Sequence, residues 1–113
     1  MIIQYYKDVD VLIPDEQGIS GVKMRKVISE KEGAKNFIMR VFEVEKGGYT
    51  PLHKHDWEHE VFVLSGSGIL VGESGERVIK TGDVIFVPGG EIHQFKNPET
   101  DKLEFICLIP ANI

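Results

Sequence analysis

The chain carries four histidines, His53, His55, His59 and His93, and three of them fall within seven residues. Neutral imidazole is the commonest protein ligand for divalent transition metals. In His53-Lys54-His55, the two-residue period of extended chain puts both imidazoles on one face. His59 shares their parity across a bend expected near Asp56-Trp57-Glu58. A strand opening at His59-Glu60-Val61 can return this third imidazole to the first two. Any one of the four alone reads as an ordinary polar side chain, so the pointer to a metal is their spacing. Other chemistries lack parts. A Ser-His-Asp arrangement or a cysteine nucleophile at Cys107 needs a histidine to spare, and neither Gly-x-Gly-x-x-Gly nor a phosphate loop is present.

The elements that must position these residues are strands. Phe37 to Val44 is rich in strand formers and closes at Lys46-Gly47-Gly48. Val61 to Leu64 ends at Gly66-Ser67-Gly68, and Ile69 to Val71 leads to the turn Glu73-Ser74-Gly75-Glu76. Arg77 to Ile79, Val84 to Val87 and Leu103 to Ile109 complete the series, each bounded by Gly or Pro. Short strands with such punctuation every 8–12 residues argue for an all-β sandwich or barrel. No ten-residue stretch has an apolar stripe at helical spacing, and Val27 to Lys35 reads as strand, then loop. With 113 residues and no linker or repeat, the expectation is a single domain over 1–113. Val61–Leu64, Val84–Val87 and Phe105–Ile109 are apolar on both faces. A small sandwich has one interior, so the second face predicts a homodimer.

Charge narrows the partners. Thirteen Lys and Arg stand against eighteen Asp and Glu, a formal net charge of −5. The longest basic cluster, Lys23-Met24-Arg25-Lys26, fits a solvated strand face, so neither nucleic acid nor an anionic membrane is expected. One cysteine allows no internal disulfide, and the first eight residues lack the build of a secretory signal. Both point to the cytoplasm. The expected partners are a small-molecule substrate and a second copy of the chain.

Two longer patterns surround the histidines. The first runs Gly47, five residues, His53, one residue, His55, three residues, His59, and later Gly66. The second runs Gly82, five residues, Pro88, one residue, Gly90, two residues, His93, three residues, Asn97. These resemble the two motifs of the cupin superfamily, the second at every defined position. The resemblance implies a double-stranded β-helix, or jelly-roll barrel, with one divalent transition metal in its mouth. Carried over residue by residue, His53 and His55 are ligands from the first motif and His93 from the second. The family's usual Glu ligand falls at His59 in the tighter spacing and at Glu60 in the looser one. Only one of these neighbours can point inward. The run His55 to Gly66 is similar to small cupins with four-histidine sites, so we take His59 as the fourth ligand and Glu60 as a surface or interface residue.

Four neutral imidazoles leave the charge of a divalent ion uncompensated, which favours an anionic ligand and Lewis-acid chemistry. Mn or Fe is the first expectation, with Ni, Cu or Zn compatible with imidazole. The superfamily implies a mononuclear, dioxygenase-type oxidoreductase acting on a small oxygen-chelating or anionic organic molecule. The alternatives are a non-catalytic small-molecule binder and a metal-dependent isomerase or lyase, the latter needing a general base such as an inward Glu60. Pocket candidates follow from strand parity. Arg40 shares a face with Ile38, Phe42 and Val44, either to anchor an anion or to pair with a carboxylate. Phe95 follows His93 by two residues and should wall the cavity. Phe105 and Cys107 share a face of the last strand, read first as core and second as cavity wall, and Trp57 sits in the bend between ligands, as a lid or as loop packing. Metal affinity should fall as the histidines protonate, around pH 5–6.5 or below.

Overall fold

The computed structural model describes residues 1–112. Its eight strands are β1 (Ser20–Ile28), β2 (Phe37–Tyr49), β3 (His59–Ser65), β4 (Ser67–Gly72), β5 (Gly75–Lys80), β6 (Val84–Val87), β7 (Gln94–Lys96) and β8 (Lys102–Pro110). Helical structure among the described residues is limited to two three-residue 3-10 turns, Tyr6–Asp8 and Glu30–Glu32. The second follows β1, with Ser29 and Glu32 forming a reciprocal capping box and Gly33 closing it at φ 90°. Val27 to Lys35 is thus strand, then a single tight turn.

Every strand pairing is antiparallel, and the sheet runs in the order β5-β4-β7-β2-β8-β3-β6, with β1 on β2. β8 and β1 flank the long β2 on its two edges, and β2 reaches β7 only at Tyr49↔Lys96. Curling brings the inward faces of the strands together, a barrel of the kind the periodicity predicts and the jelly-roll form that the cupin resemblance implies. The turn between β4 and β5 is Glu73-Ser74, with Gly72 and Gly75 paired across it.

Alternation decides which side chains enter. On β3, His59, Val61 and Val63 are buried while Glu60 and Phe62 are exposed. On β8, Leu103, Phe105, Cys107 and Ile109 point inward. The rings of Phe42, Phe105 and Phe95 stack at centroid separations of 5.1 and 4.4 Å, forming the floor beneath the histidines. Arg25 departs from the solvated basic face expected of Lys23–Lys26. It is half-buried, pairs with Glu43 at 3.3 Å and donates to the Val9 carbonyl, because the N-terminal arm covers that part of β1. The same arm adds Leu12 to Met24 through two backbone hydrogen bonds.

Candidate metal centre

Three separate pieces of chain deliver the four imidazoles to one place. His53 and His93 face each other in an isolated antiparallel bridge, joined by backbone hydrogen bonds in both directions. His55 follows by one period, and Gly90, at φ 83°, donates its N–H to the His55 carbonyl at 2.7 Å. That positive φ is why a glycine stands there in the second motif. His59 opens β3, 6% exposed, and is held by pairing with Val87 on β6. Asn97, also in the motif, is fully buried away from the imidazoles. Its amide bonds the Val44 and Thr100 carbonyls, each at 2.9 Å, and its oxygen accepts from Thr100, so it builds the corner between β7 and β8.

The rings cluster. Ligating nitrogens of His53, His55 and His93 lie within 4.8 Å of one another. His59 stands outside that trio, yet its Nε2 is 2.8 Å from Nε2 of His55 and its ring centroid 5.0 Å from that of His93. Two nitrogens held at right angles on one ion at about 2.1 Å stand about 3.0 Å apart. The His55–His59 spacing therefore suits two ligands of a single ion, and the donor set fits a divalent transition metal.

The outer nitrogens set the inner ones. Nδ1 of His55 donates to the Trp57 carbonyl at 3.0 Å, and Nδ1 of His93 donates to the Glu91 carbonyl at 2.9 Å. Nδ1 of His53 faces the Glu16 carboxylate at 3.6 Å. The two carbonyls only accept, so the ring protons of His55 and His93 sit on Nδ1 and their Nε2 atoms keep lone pairs for a metal, while Glu16 stands beyond hydrogen-bond reach of His53. The indole of Trp57 also stacks on His55 at 4.2 Å, fixing the ring plane. Burial favours the neutral form of His53, His59 and His93. It lowers the pKa of His93, and that of His53 against an opposing pull from Glu16. His59 is lowered to about 3, by burial first and then by Arg40 and the neighbouring imidazoles. Neutral rings are the form that binds a metal.

Beside the imidazoles lies a cavity of about 210 Å³. Every pocket candidate lines it: Arg40, Trp57, Phe95 and Phe105. Arg40 Nη2 lies 3.1 Å from Cys107 Sγ and 3.4 Å from His59 Nδ1, and the guanidinium sits over the Phe42 ring at 4.9 Å. Its Nε is buried without a hydrogen-bond partner. No carboxylate pairs with this guanidinium among the described residues, so the structural ion pair weighed for it is absent there. Glu60 is exposed on the outer face and does not line this cavity, as parity demands. Several lining residues drew no functional role from the sequence, Glu16 and Cys107 among them. Glu16 arrives on the arm, where no periodic pattern connects it to the histidines. Cys107, read mainly as core, contacts His59 Nδ1 at 3.0 Å.

The cupin domain family model matches residues 40–109. The chain belongs to the cupin family. Among curated relatives, this cupin is 30% identical over 105 residues to 1-methylthio-D-xylulose 5-phosphate methylsulfurylase of Rhodospirillum rubrum, covering 91% of this chain and 67% of that one. It is 38% identical over 64 residues to an oxalate-binding protein of Thermotoga maritima, 56% of this cupin and 53% of the relative. Among solved structures, the polyketide cyclase RemF of Streptomyces resistomycificus superposes with a TM-score of 0.94 at 35% identity, over 99% of this cupin and 80% of that chain. These relatives carry different names and activities on one scaffold, so the reaction must be argued from the site.

Proposed function

We propose that this cupin is a mononuclear, metal-dependent enzyme acting on a small, anionic, oxygen-chelating organic substrate. The observation that carries this reading is Arg40, a guanidinium at the cavity wall with no carboxylate partner among the described residues, beside the four imidazoles. An arginine fork is built for carboxylate-like oxygens, and an unpaired one in a confined space favours an anion there. His53, His55, His59 and His93 would hold the ion, Mn or Fe first among the candidates. When bound, it supplies Lewis acidity and open positions for substrate or dioxygen. Arg40 orients the anionic end, while Phe42, Phe95 and Phe105 exclude water from the apolar part.

For the reaction itself, a dioxygenase-type oxidation is the first reading, supported by a ligand set of neutral nitrogens and an aromatic, water-excluding floor. A second reading, proton transfer in an isomerase, lyase or cyclase, is favoured by Glu16. This carboxylate lines the cavity and supplies the base that Glu60 cannot. Likeness to a polyketide cyclase along nearly the whole chain supports the same reading. Two assays divide them. Metal-loaded protein is offered enols, diphenols and 2-oxo acids. Oxygen uptake on an electrode supports oxidation, whereas exchange of carbon-bound hydrogen for solvent deuterium, lost in Glu16→Gln, supports proton transfer. Tight binding of a dicarboxylate such as oxalate with neither activity would make the chain a binding module. If Arg40→Gln bound oxalate as tightly as the parent protein, the anion site itself would be refuted.

The proposal includes a homodimer formed through the outer face of β3, β6 and β8, and a cytoplasmic location. Support for the first is exposed Phe62, Val84 and Phe86, and for the second the unpaired thiol of Cys107. No helix among the described residues is long and apolar enough to cross a membrane.

A further inference from the structure

The imidazole of His59 differs from the other three in what its outer nitrogen meets. His55 and His93 point Nδ1 at carbonyl oxygens and His53 points it at a carboxylate. Nδ1 of His59 instead faces Cys107 Sγ at 3.0 Å and Arg40 Nη2 at 3.4 Å. A guanidinium donates and never accepts, whereas a thiol sulfur can do either.

Two proton arrangements satisfy the 2.8 Å approach of His59 Nε2 to His55 Nε2. In one, His59 carries its proton on Nε2 and donates it to the lone pair of His55, and its Nδ1 accepts from Arg40 or Cys107. In the other, both Nε2 atoms offer lone pairs to one ion, and the proton of His59 moves to Nδ1. The proton count is unchanged; only the tautomer differs. Nδ1–H then needs an acceptor, and Arg40 cannot be one. Cys107 Sγ is the acceptor in reach, and Arg40 Nη2, 3.1 Å from the same sulfur, donates to it from another side.

We infer that Cys107 is a positioning residue for the metal centre: its sulfur accepts the Nδ1 proton of His59 and so selects the tautomer in which His59 is the fourth ligand. A consequence follows for Arg40. Once Nδ1 of His59 is a donor, the guanidinium loses that partner, and its remaining N–H groups are free to turn to an anion in the cavity. Metal binding at His59 and anion binding at Arg40 are thereby linked, each favouring the other. This inference rests on the metal-dependent reading above.

The test uses Co(II) as probe on the full chain stripped of metal by chelator. Affinity is read by competition titration and coordination by visible absorption. Cys107→Ser retains an acceptor, whereas Cys107→Val and Cys107→Ala do not, and His59→Ala is the reference for a missing fourth ligand. Expected is Co(II) affinity near that of the parent for Cys107→Ser, and a loss of about 10–100-fold for both apolar variants. Their Co(II) spectra should shift the same way as that of His59→Ala. Two apolar variants of different size guard against one failing to fold, which circular dichroism would reveal. Parent-like affinity and spectrum in either folded apolar variant, alongside a weakened His59→Ala, would overturn the role of Cys107 and leave the metal site standing. Failure of the parent chain to bind Co(II) would overturn the metal-dependent reading and this inference together.

Discussion

Replacing His59 by alanine removes an imidazole whose Nε2 lies 2.8 Å from that of His55, whereas replacing Glu60 trims an exposed side chain on the opposite face. His59→Ala should therefore weaken divalent-metal affinity by at least the roughly 10–100-fold typical of losing a ligand's supporting partner, and Glu60→Ala should leave it unchanged. Calorimetric titration of both variants checks this, and the reverse order would reassign the fourth ligand. Burial also gives the histidines a pH signature. His59 titrates near 3 in the fold, against about 6.5 in an unfolded chain, and His53 and His93 shift the same way. Below about pH 6.5 the unfolded chain binds more protons than the folded one, so stability present at neutral pH is lost as pH falls toward 3. His59 alone contributes a slope of about 1.4 kcal/mol per pH unit. Thermal melts of metal-stripped protein between about pH 7 and pH 5 should show Tm falling, less steeply in His59→Asn. A Tm flat across that window would contradict the burial of these rings. Metal binding by the same neutral imidazoles should persist to lower pH than ordinary histidines allow.

At the scale of the element, β8 does the most to connect core and site. Its inward face alternates Leu103, Phe105, Cys107 and Ile109, which are core at one end and cavity wall at the other. Phe105 is 1% exposed between the rings of Phe42 and Phe95. Phe105→Ala should cost about 3–5 kcal/mol in chemical denaturation and empty the cavity floor. A loss under about 1 kcal/mol would mean that the aromatic stack is not the support described here. The tight turn between β3 and β4 is equally specific. Gly66 sits at φ 81°, and a side chain there would collide with the Lys102 carbonyl of β8. Both strain and contact therefore exclude other residues at that motif position.

At the scale of the whole molecule, the outer face of β6-β3-β8 carries the exposed apolar side chains on which the proposed dimer rests. Val84 is 75% exposed and Phe86 58%, beside half-buried Ile106 and Leu108. The edge strand β6 has only one neighbour in the sheet. Light scattering should find a dimer, and Phe86→Asp should convert it to a monomer that keeps its circular dichroism spectrum. A monomeric parent protein would remove this interface from the proposal.

Strand periodicity and turn residues were sufficient to read an all-β barrel or sandwich from the sequence, and resemblance to the two cupin motifs implied that its imidazoles gather at one mouth. Those features are local: alternation has a fixed period, a motif glycine answers to its own φ, and His59 and Glu60 must face opposite ways. Arg40, Phe95 and Phe105 were reachable by the same parity, and Trp57 by its place in the bend between ligands. What crosses the chain was not. Glu16 meets His53 from an arm 37 positions away in the chain, and Cys107 meets His59 across 48. No period links such pairs, because pairing register and the path of the arm bring them together. Proton placement on each ring likewise depends on what faces its far nitrogen: carbonyls for His55 and His93, a carboxylate for His53, and sulfur and guanidinium for His59. The sequence by itself determined the scaffold and the metal-ligand candidates; tertiary structure decided which groups support them, because those contacts exist only after the sheet has closed.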